Sequence, residues 1–305
     1  MKQIVVLSGK GGTGKTSFLA SFAALAGECV LADCDVDASN LAILAGGEGG
    51  REEPFFGEET ARVDPERCTR CGICEESCRF GAIALPRGEG GGPTGPARVR
   101  EIACEGCGLC ALVCPPKAIA LEERRTGTLL VSRSRRGPLV HARLLPGEGN
   151  SGKLVTLVRE KAQGVAAEEG LDLVLVDGSP GIGCPVISSL AAVDGAFLVV
   201  EPSLSALHDL ERILELLERF RVRACAAVNK WDLHPETAGR IARFCRDRGI
   251  PLAGRIPFDP VFLDALLERK TVVEYDPQGP AARAVAAAWR EGARILGIGD
   301  PPEGG

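Results

Sequence analysis

Eight of the thirteen cysteines fall into two runs of identical spacing. Cys68, Cys71, Cys74 and Cys78 read CxxCxxCxxxC; Cys104, Cys107, Cys110 and Cys114 repeat it, with Pro115 after the last. Three thiolates this close can wrap one corner of a metal–sulfur group, and the duplication supplies a distant fourth. A zinc site more often uses paired CxxC units. A second cluster of chemistry opens the chain, where Gly9-Lys10-Gly11-Gly12-Thr13-Gly14-Lys15-Thr16 fits GxxxxGK[ST]. Glycines there let backbone N–H groups converge on phosphate oxygens at a helix N-terminus. Lys15 would reach the β- and γ-phosphates, and Thr16 would offer a hydroxyl to Mg²⁺.

These residues need elements to hold them. Residues 3–8 are a short, mostly apolar run, followed by the glycine-rich turn and an alanine-rich helical stretch from Thr16 to about Ala26. The next apolar run, Val30–Ala32, leads into Asp33, Asp35 and Asp37. Strand, loop, helix, strand is the opening of a parallel α/β sheet. Buried strands are expected again at Leu171–Val176, Ala196–Val200, Ala224–Val228 and Ile250–Ile256, alternating with helices near 151–169, 205–220 and 235–248, with two more near 260–269 and 280–296. Asn150 or Ser151 would cap the first of these beside Lys153.

The middle breaks the rhythm. Residues 46–64 are rich in Gly and Glu and read as a linker. The 18-residue segments from Cys68 and from Cys104 agree at nine positions at an offset of 36, an internal duplication. The glycine-rich spacer between them, residues 86–100, reads as a mobile loop, and residues 126–145 as a hairpin returning to the main sheet. The expected organisation is therefore a nucleotide-binding domain in two parts, 1–61 and 123–305, with a small cysteine module at 62–122 between them.

Composition excludes several classes. A net charge of −5 gives no basic field for nucleic acid or an anionic membrane, and 4% aromatics argue against base-stacking platforms. No apolar run reaches the ~18 residues a membrane span needs. The first apolar run is too short for a signal peptide, so a cytoplasmic location is expected, and the cysteines are expected to serve metal or redox chemistry rather than disulfides. His141, His208 and His234 are scattered and suggest no metal site. Cys29, Cys225 and Cys245 read as small buried hydrophobes, and Cys34 lies within the acidic loop. Arginine outnumbers lysine 28 to 8, so each lysine invites a reason.

The form KGGTGKT, with Lys10 early in the loop, resembles the deviant Walker ATPases: MinD/ParA partition proteins, the nitrogenase iron protein and Mrp-type carriers. The resemblance implies a nucleotide-sandwich homodimer in which Lys10 reaches the partner's nucleotide. Gly11, Gly12, Thr13, Gly14, Lys15, Thr16 and Ser17 would bind ATP. Asp35 would position or activate the attacking water, and Asp177, ending the run LVLVD, would hold Mg²⁺ with Thr16. Asn229 and the loop around Pro257 would meet the adenine. Asn229-Lys230-Trp231-Asp232 also fits NKxD, the guanine-reading motif, so Asp232 would matter if the base were guanine.

The cysteine runs resemble the two-cluster bacterial ferredoxins, in which each fourth cysteine serves the other cluster. Carried over, one 4Fe-4S cluster takes Cys68, Cys71, Cys74 and Cys114, and the other takes Cys104, Cys107, Cys110 and Cys78. Arg79 stands where that motif usually has proline. Cys184, seven residues after Asp177, stands where the nitrogenase iron protein holds a cluster ligand and is a possible extra thiolate; the CPxC pair of the Mrp-type carriers is absent.

The expected fold is α/β: a mostly parallel P-loop NTPase sheet flanked by helices, with an inserted small α+β ferredoxin-like domain. The expected function is ATP-driven dimer switching coupled to electron transfer through two 4Fe-4S clusters, toward an unidentified redox or cofactor-accepting protein. The alternatives are a carrier or assembly factor for iron–sulfur or molybdenum-type cofactors, and a ferredoxin on an inactive nucleotide-binding scaffold.

Overall fold

The computed structural model describes residues 1–149, 152–203 and 205–299; Asn150 and Ser151, the expected helix cap, lie outside them. In chain order the elements are β1 (Lys2–Leu7), α1 (Lys15–Ala26), β2 (Val30–Asp33), α2 (Leu41–Ala45), β3 (Glu48–Val63), α3 (Ile73–Ser77), β4 (Ile83–Ala84), β5 (Arg98–Val99), α4 (Leu109–Val113), β6 (Ile119–Ser134) and β7 (Gly137–Leu144). Then follow α5 (Gly152–Glu169), β8 (Leu173–Asp177), α6 (Cys184–Leu190), β9 (Gly195–Val200), α7 (Ala206–Phe220), β10 (Arg223–Asn229), α8 (Pro235–Asp247), β11 (Leu252–Ile256), α9 (Val261–Leu267), α10 (Val272–Tyr275) and α11 (Pro280–Leu296). The chain divides into two compact units. One comprises Met1–Glu53, Leu129–Leu144 and Gly149–Gly305; the other comprises Pro54–Thr128 and Leu145–Glu148.

The sheet runs β11-β10-β9-β1-β8-β2-β7-β6-β3, and its pairs from β11 through β7 are parallel. The strands β1, β2, β8 and β9 are almost wholly buried, as expected of parallel strands covered by helices on both faces. Strand order reverses around β1, which pairs with β8 on one side and β9 on the other. Crevices for ligands form outside the carboxyl ends of strands at such a switch point, and the glycine-rich loop leaves β1 there. On one face α1 packs against α11 through Phe22, whose ring lies 4.7 Å from Phe197 edge-on and 5.0 Å from Trp289. Gly292 makes this closeness possible, because a Cβ there would stand 2.6 Å from the Phe197 ring.

Residues 46–64 are not a linker. Glu48–Val63 form the edge strand β3, with Phe55, Thr60 and Ala61 buried while Glu, Gly and Arg fill most of the exposed positions. Charges along an edge strand prevent further pairing, and the same charges disguised the strand in the sequence.

The second unit keeps the duplication in its geometry. Helices α3 and α4 sit at the same offset of 36 as the sequence repeat, each led in by a left-handed glycine, Gly72 (φ 85) and Gly108 (φ 74). The preceding left-handed turns also match, Arg70 (φ 60) with Gly106 (φ 59). Ile83, Leu85, Ala97, Ala118 and Ile119 form a core with Cys74, Cys110 and Cys114. The spacer at residues 86–100 is tied down rather than free: Arg87 pairs with Glu75, a bridge joins Arg87 to Pro93, and β5 pairs antiparallel with β4. Its glycines hid these anchors. No described helix is long and apolar enough to cross a membrane.

Candidate nucleotide site and cysteine hollows

The phosphate-binding loop joins the buried end of β1 to the first turn of α1. Ser8 Oγ donates to the Lys10 carbonyl at 2.9 Å, and the Gly181 N–H donates to the Ser8 carbonyl at 3.1 Å, tying the loop to the segment after β8. Gly14 caps α1 at φ 94, ψ 10, and a Cβ there would lie 2.7 Å from Asn229 Nδ2, so the position requires glycine. At Gly11 and Gly12 a Cβ would meet nothing within 4 Å, which leaves the loop's backbone open to an approaching group. Thr13 Oγ1 is buried without a partner beside this opening. A loop with exposed amides, an orphaned hydroxyl and a helix N-terminus fits a phosphate chain.

Four charged groups meet beneath it. Lys15 Nζ donates to Asp177 Oδ1 at 2.6 Å and stands 3.2 Å from Asp35 Oδ2. Thr16 Oγ1 donates to Asp177 Oδ2 at 2.7 Å, bringing the two expected Mg²⁺ residues together. Burial alone would drive the Lys15 ammonium toward neutrality, but Asp177 and Asp35 outweigh it and hold its pKa above the ordinary value. Asp33, completely buried at the end of β2, was not among the expected site residues. Burial first, then the Asp177 charge, pushes its carboxyl up to about 7. It accepts from Ser39 Oγ at 2.7 Å and from the Asp35 and Leu41 N–H groups. Burial also raises Asp35, against the pull of Lys15. Asp33's position at the buried end of a parallel strand was the signal that could have found it.

Lys10 lies 2.5 Å from Glu201 Oε1, on its own chain. Lys230 Nζ sits 3.1 Å from Glu201 Oε2 and donates to the Gly12 carbonyl at 3.1 Å. Glu201 had no sequence signal beyond being a charge at the end of an apolar strand. Asn229 Nδ2 donates to the Thr13 carbonyl at 2.8 Å, and the Phe258 N–H donates to Asp232 Oδ1 at 2.7 Å. The NKxD segment thus braces the phosphate loop at one end and the loop containing Pro257 at the other. Ser17 lies on the first turn of α1, where its carbonyl accepts from Ser21 Oγ at 2.7 Å. Cys184 is exposed at the start of α6, whereas Cys29, Cys34, Cys225 and Cys245 are buried, and burial raises their thiols, Cys29 and Cys225 to about 12 and Cys245 to about 11.

In the second unit, one hollow is lined by Cys68, Cys71, Cys74 and, from the other run, Cys114. The other is lined by Cys104, Cys107, Cys110 and, again crossing over, Cys78. Backbone N–H groups donate to sulfur at Cys78 (from Ala82, 3.3 Å), Cys114 (from Ala118, 3.3 Å) and Cys104 (from Ala61, 3.5 Å). Burial works to raise Cys104, yet the Ala61 and Gly106 amides, the Thr60 hydroxyl and Arg124 together bring its thiol below the ordinary value. Sulfur donors lining an open hollow, with amides supporting the thiolate form, fit a metal–sulfur group. Among the described residues, no group of three or more His, Cys, Asp or Glu side chains closes on a single metal-ion position. Arg79 lines the second hollow with its guanidinium 4.8 Å from the Phe80 ring centroid.

The family profile described as the CobQ/CobB/MinD/ParA nucleotide binding domain matches residues 4–284. An uncharacterized protein of Methanocaldococcus jannaschii is 36% identical over 231 residues, covering 75% of this chain and 78% of that one. Among solved structures, the septum site-determining protein MinD of Pyrococcus horikoshii, complexed with Mg-ADP, superposes with a TM-score of 0.58 at 17% identity, covering 97% of this chain and 98% of that one. The cell division ATPase MinD of Pyrococcus furiosus gives 0.56 at 18% identity, covering 95% and 97%. At these identities the two structures establish a shared fold: helices flanking a large, mostly parallel sheet.

Proposed function

The chain belongs to the CobQ/CobB/MinD/ParA nucleotide-binding family, and from that premise we propose that it is a deviant-Walker ATPase whose nucleotide cycle drives electron transfer through two 4Fe-4S clusters. The carrying observation is the crossing of the fourth cysteines. Cys114 joins the hollow of the first run, and Cys78 joins that of the second. Two independent sites would have no reason to exchange one ligand each; a duplicated two-cluster module does.

At the nucleotide site the chain's own groups divide the work. Amides from Gly11 to Thr16 and the Lys15 ammonium hold the phosphates, while Thr16 and Asp177 hold Mg²⁺, which supplies charge neutralisation on the phosphate oxygens. Asp35, within reach of Lys15, orients the attacking water; its raised pKa suits a group that takes up a proton. Asn229 and Pro257 border the adenine. Lys10 serves a second copy of the chain, so the active form is a homodimer. In the module at about 62–122, the eight cysteines hold the clusters, whose chemistry is one-electron transfer. The likeness to a MinD solved with Mg-ADP supports the nucleotide assignment.

Exposed Cys184 favours a second reading, delivery of a metal or cluster to an acceptor, because it opens α6 seven residues after Asp177. One experiment separates the readings. Dithionite-reduced protein is mixed with an artificial one-electron acceptor and a ferrous-iron chelator as metal acceptor, with MgATP or MgADP, and protein-bound iron is counted before and after. Electron transfer predicts an ATP-dependent rate with iron retained. Delivery predicts iron lost, and no nucleotide effect on either quantity contradicts both.

A further inference from the structure

Three of the chain's eight lysines gather on the phosphate-binding loop: Lys10 and Lys15 within it and Lys230 against it. Glu201, the residue after β9, joins two of them. One of its oxygens is 2.5 Å from Lys10 and the other 3.1 Å from Lys230, which also donates to the Gly12 carbonyl. Lys230 adopts a left-handed backbone conformation, φ 53 and ψ 38, uncommon for a residue with a side chain. The contacts its ammonium makes with Glu201 and Gly12 offset that cost.

The two pairs differ in what they can give up. Lys230 is tied to the loop carbonyl as well as to Glu201. Lys10 is the more exposed lysine, 39% against 30% for Lys230, and among the described residues Glu201 is its one ion-pair partner. We propose that Glu201 is an internal competitor for Lys10, docking this ammonium on its own chain and yielding it to the polyphosphate of a second copy. The inference rests on the sandwich-dimer reading given above. A polyphosphate outbids a single carboxylate by charge, and a partly solvated ion pair is weak enough to exchange. When Lys10 leaves, Lys230 still neutralises Glu201, so release strands no buried carboxylate. The contact makes self-association conditional on nucleotide.

The test is sedimentation velocity with MgATP in an Asp35→Ala background, which suppresses hydrolysis. Glu201→Gln keeps the shape and removes the charge. It should lower the protein concentration for half-association about two- to fivefold, the range expected for a partly exposed ion pair. In a chain also carrying Lys10→Ala, Glu201→Gln should change nothing. An ATP-dependent dimer that Glu201→Gln leaves unshifted overturns the competitor role alone, as does a shift that persists without Lys10. Absence of ATP-dependent association in both proteins overturns the dimer reading and this inference with it.

Discussion

Lys15 and Asp177, 162 positions apart in sequence, are joined by a 2.6 Å hydrogen bond in the protein interior. The lysine of the phosphate loop and the carboxylate at the end of β8 therefore form one electrostatic unit, with Asp35 and Asp33 as its neighbours. Any phosphate that engages Lys15 changes the charge felt by the carboxylates expected to serve metal and water.

Lys15→Ala should abolish nucleotide binding and also destabilise the fold. Removing the cation leaves several aspartates facing one another in a buried site, at a cost of about 3–5 kcal/mol. Urea unfolding without nucleotide would register the loss. Adding Asp177→Asn to Lys15→Ala should recover part of the stability and none of the binding, because it removes repulsion without restoring the phosphate contact.

Asp33 sets a pH dependence. Its carboxyl is pushed up to about 7 in the folded chain, chiefly by burial, from an ordinary 3.8. The folded state therefore holds this proton more tightly, and the stabilisation is complete below about pH 4 and lost as pH rises through about 7. Asp33→Asn, neutral at every pH, should flatten the stability profile between those limits, most visibly in its higher melting temperature at pH 8 relative to wild type. Equal slopes for the two proteins would remove Asp33 as the cause.

The crossing of the cysteine runs gives a pairing test. Cys71→Ser and Cys114→Ser should each remove the same cluster, so the double variant keeps about four iron per chain. Cys107→Ser with Cys114→Ser should lose both clusters. If each run held its own cluster, these two doubles would exchange outcomes, as read by iron content and by electron paramagnetic resonance of the reduced protein.

Asp232 is engaged by the Phe258 amide at 2.7 Å, which makes it a brace for the loop containing Pro257, proposed above to border the base. Asp232→Ala should weaken ATP binding several-fold, as loss of one charge-assisted hydrogen bond does. The preference for ATP over GTP should stay as it was. A GTPase rate above the ATPase rate in the wild type, reversed by this substitution, would assign Asp232 to a guanine edge.

The parts of the fold legible in the sequence were those where burial leaves a continuous apolar run, such as LVLVD in β8 and GAFLVV in β9. The loop from Gly9 to Thr16 was legible because its glycines are structural requirements: a Cβ at Gly9 or Gly14 would collide, and Gly12 and Gly14 take positive φ. Strand β3 was hidden because only Phe55, Thr60 and Ala61 face inward while its other residues resemble a linker. Helix α10 escaped because its signal, the capping box of Thr271 and Glu274, spans four residues. Asp33 and Glu201 carry no motif. Their importance comes from partners brought near by the sheet, Asp177 for one and Lys10 with Lys230 for the other.

Whether this family ATPase is built around two iron–sulfur clusters is tested most directly by iron and acid-labile sulfide in protein purified without oxygen. Two intact clusters give about eight iron and eight sulfide per chain. Zinc bound to the cysteines with no sulfide would contradict their presence.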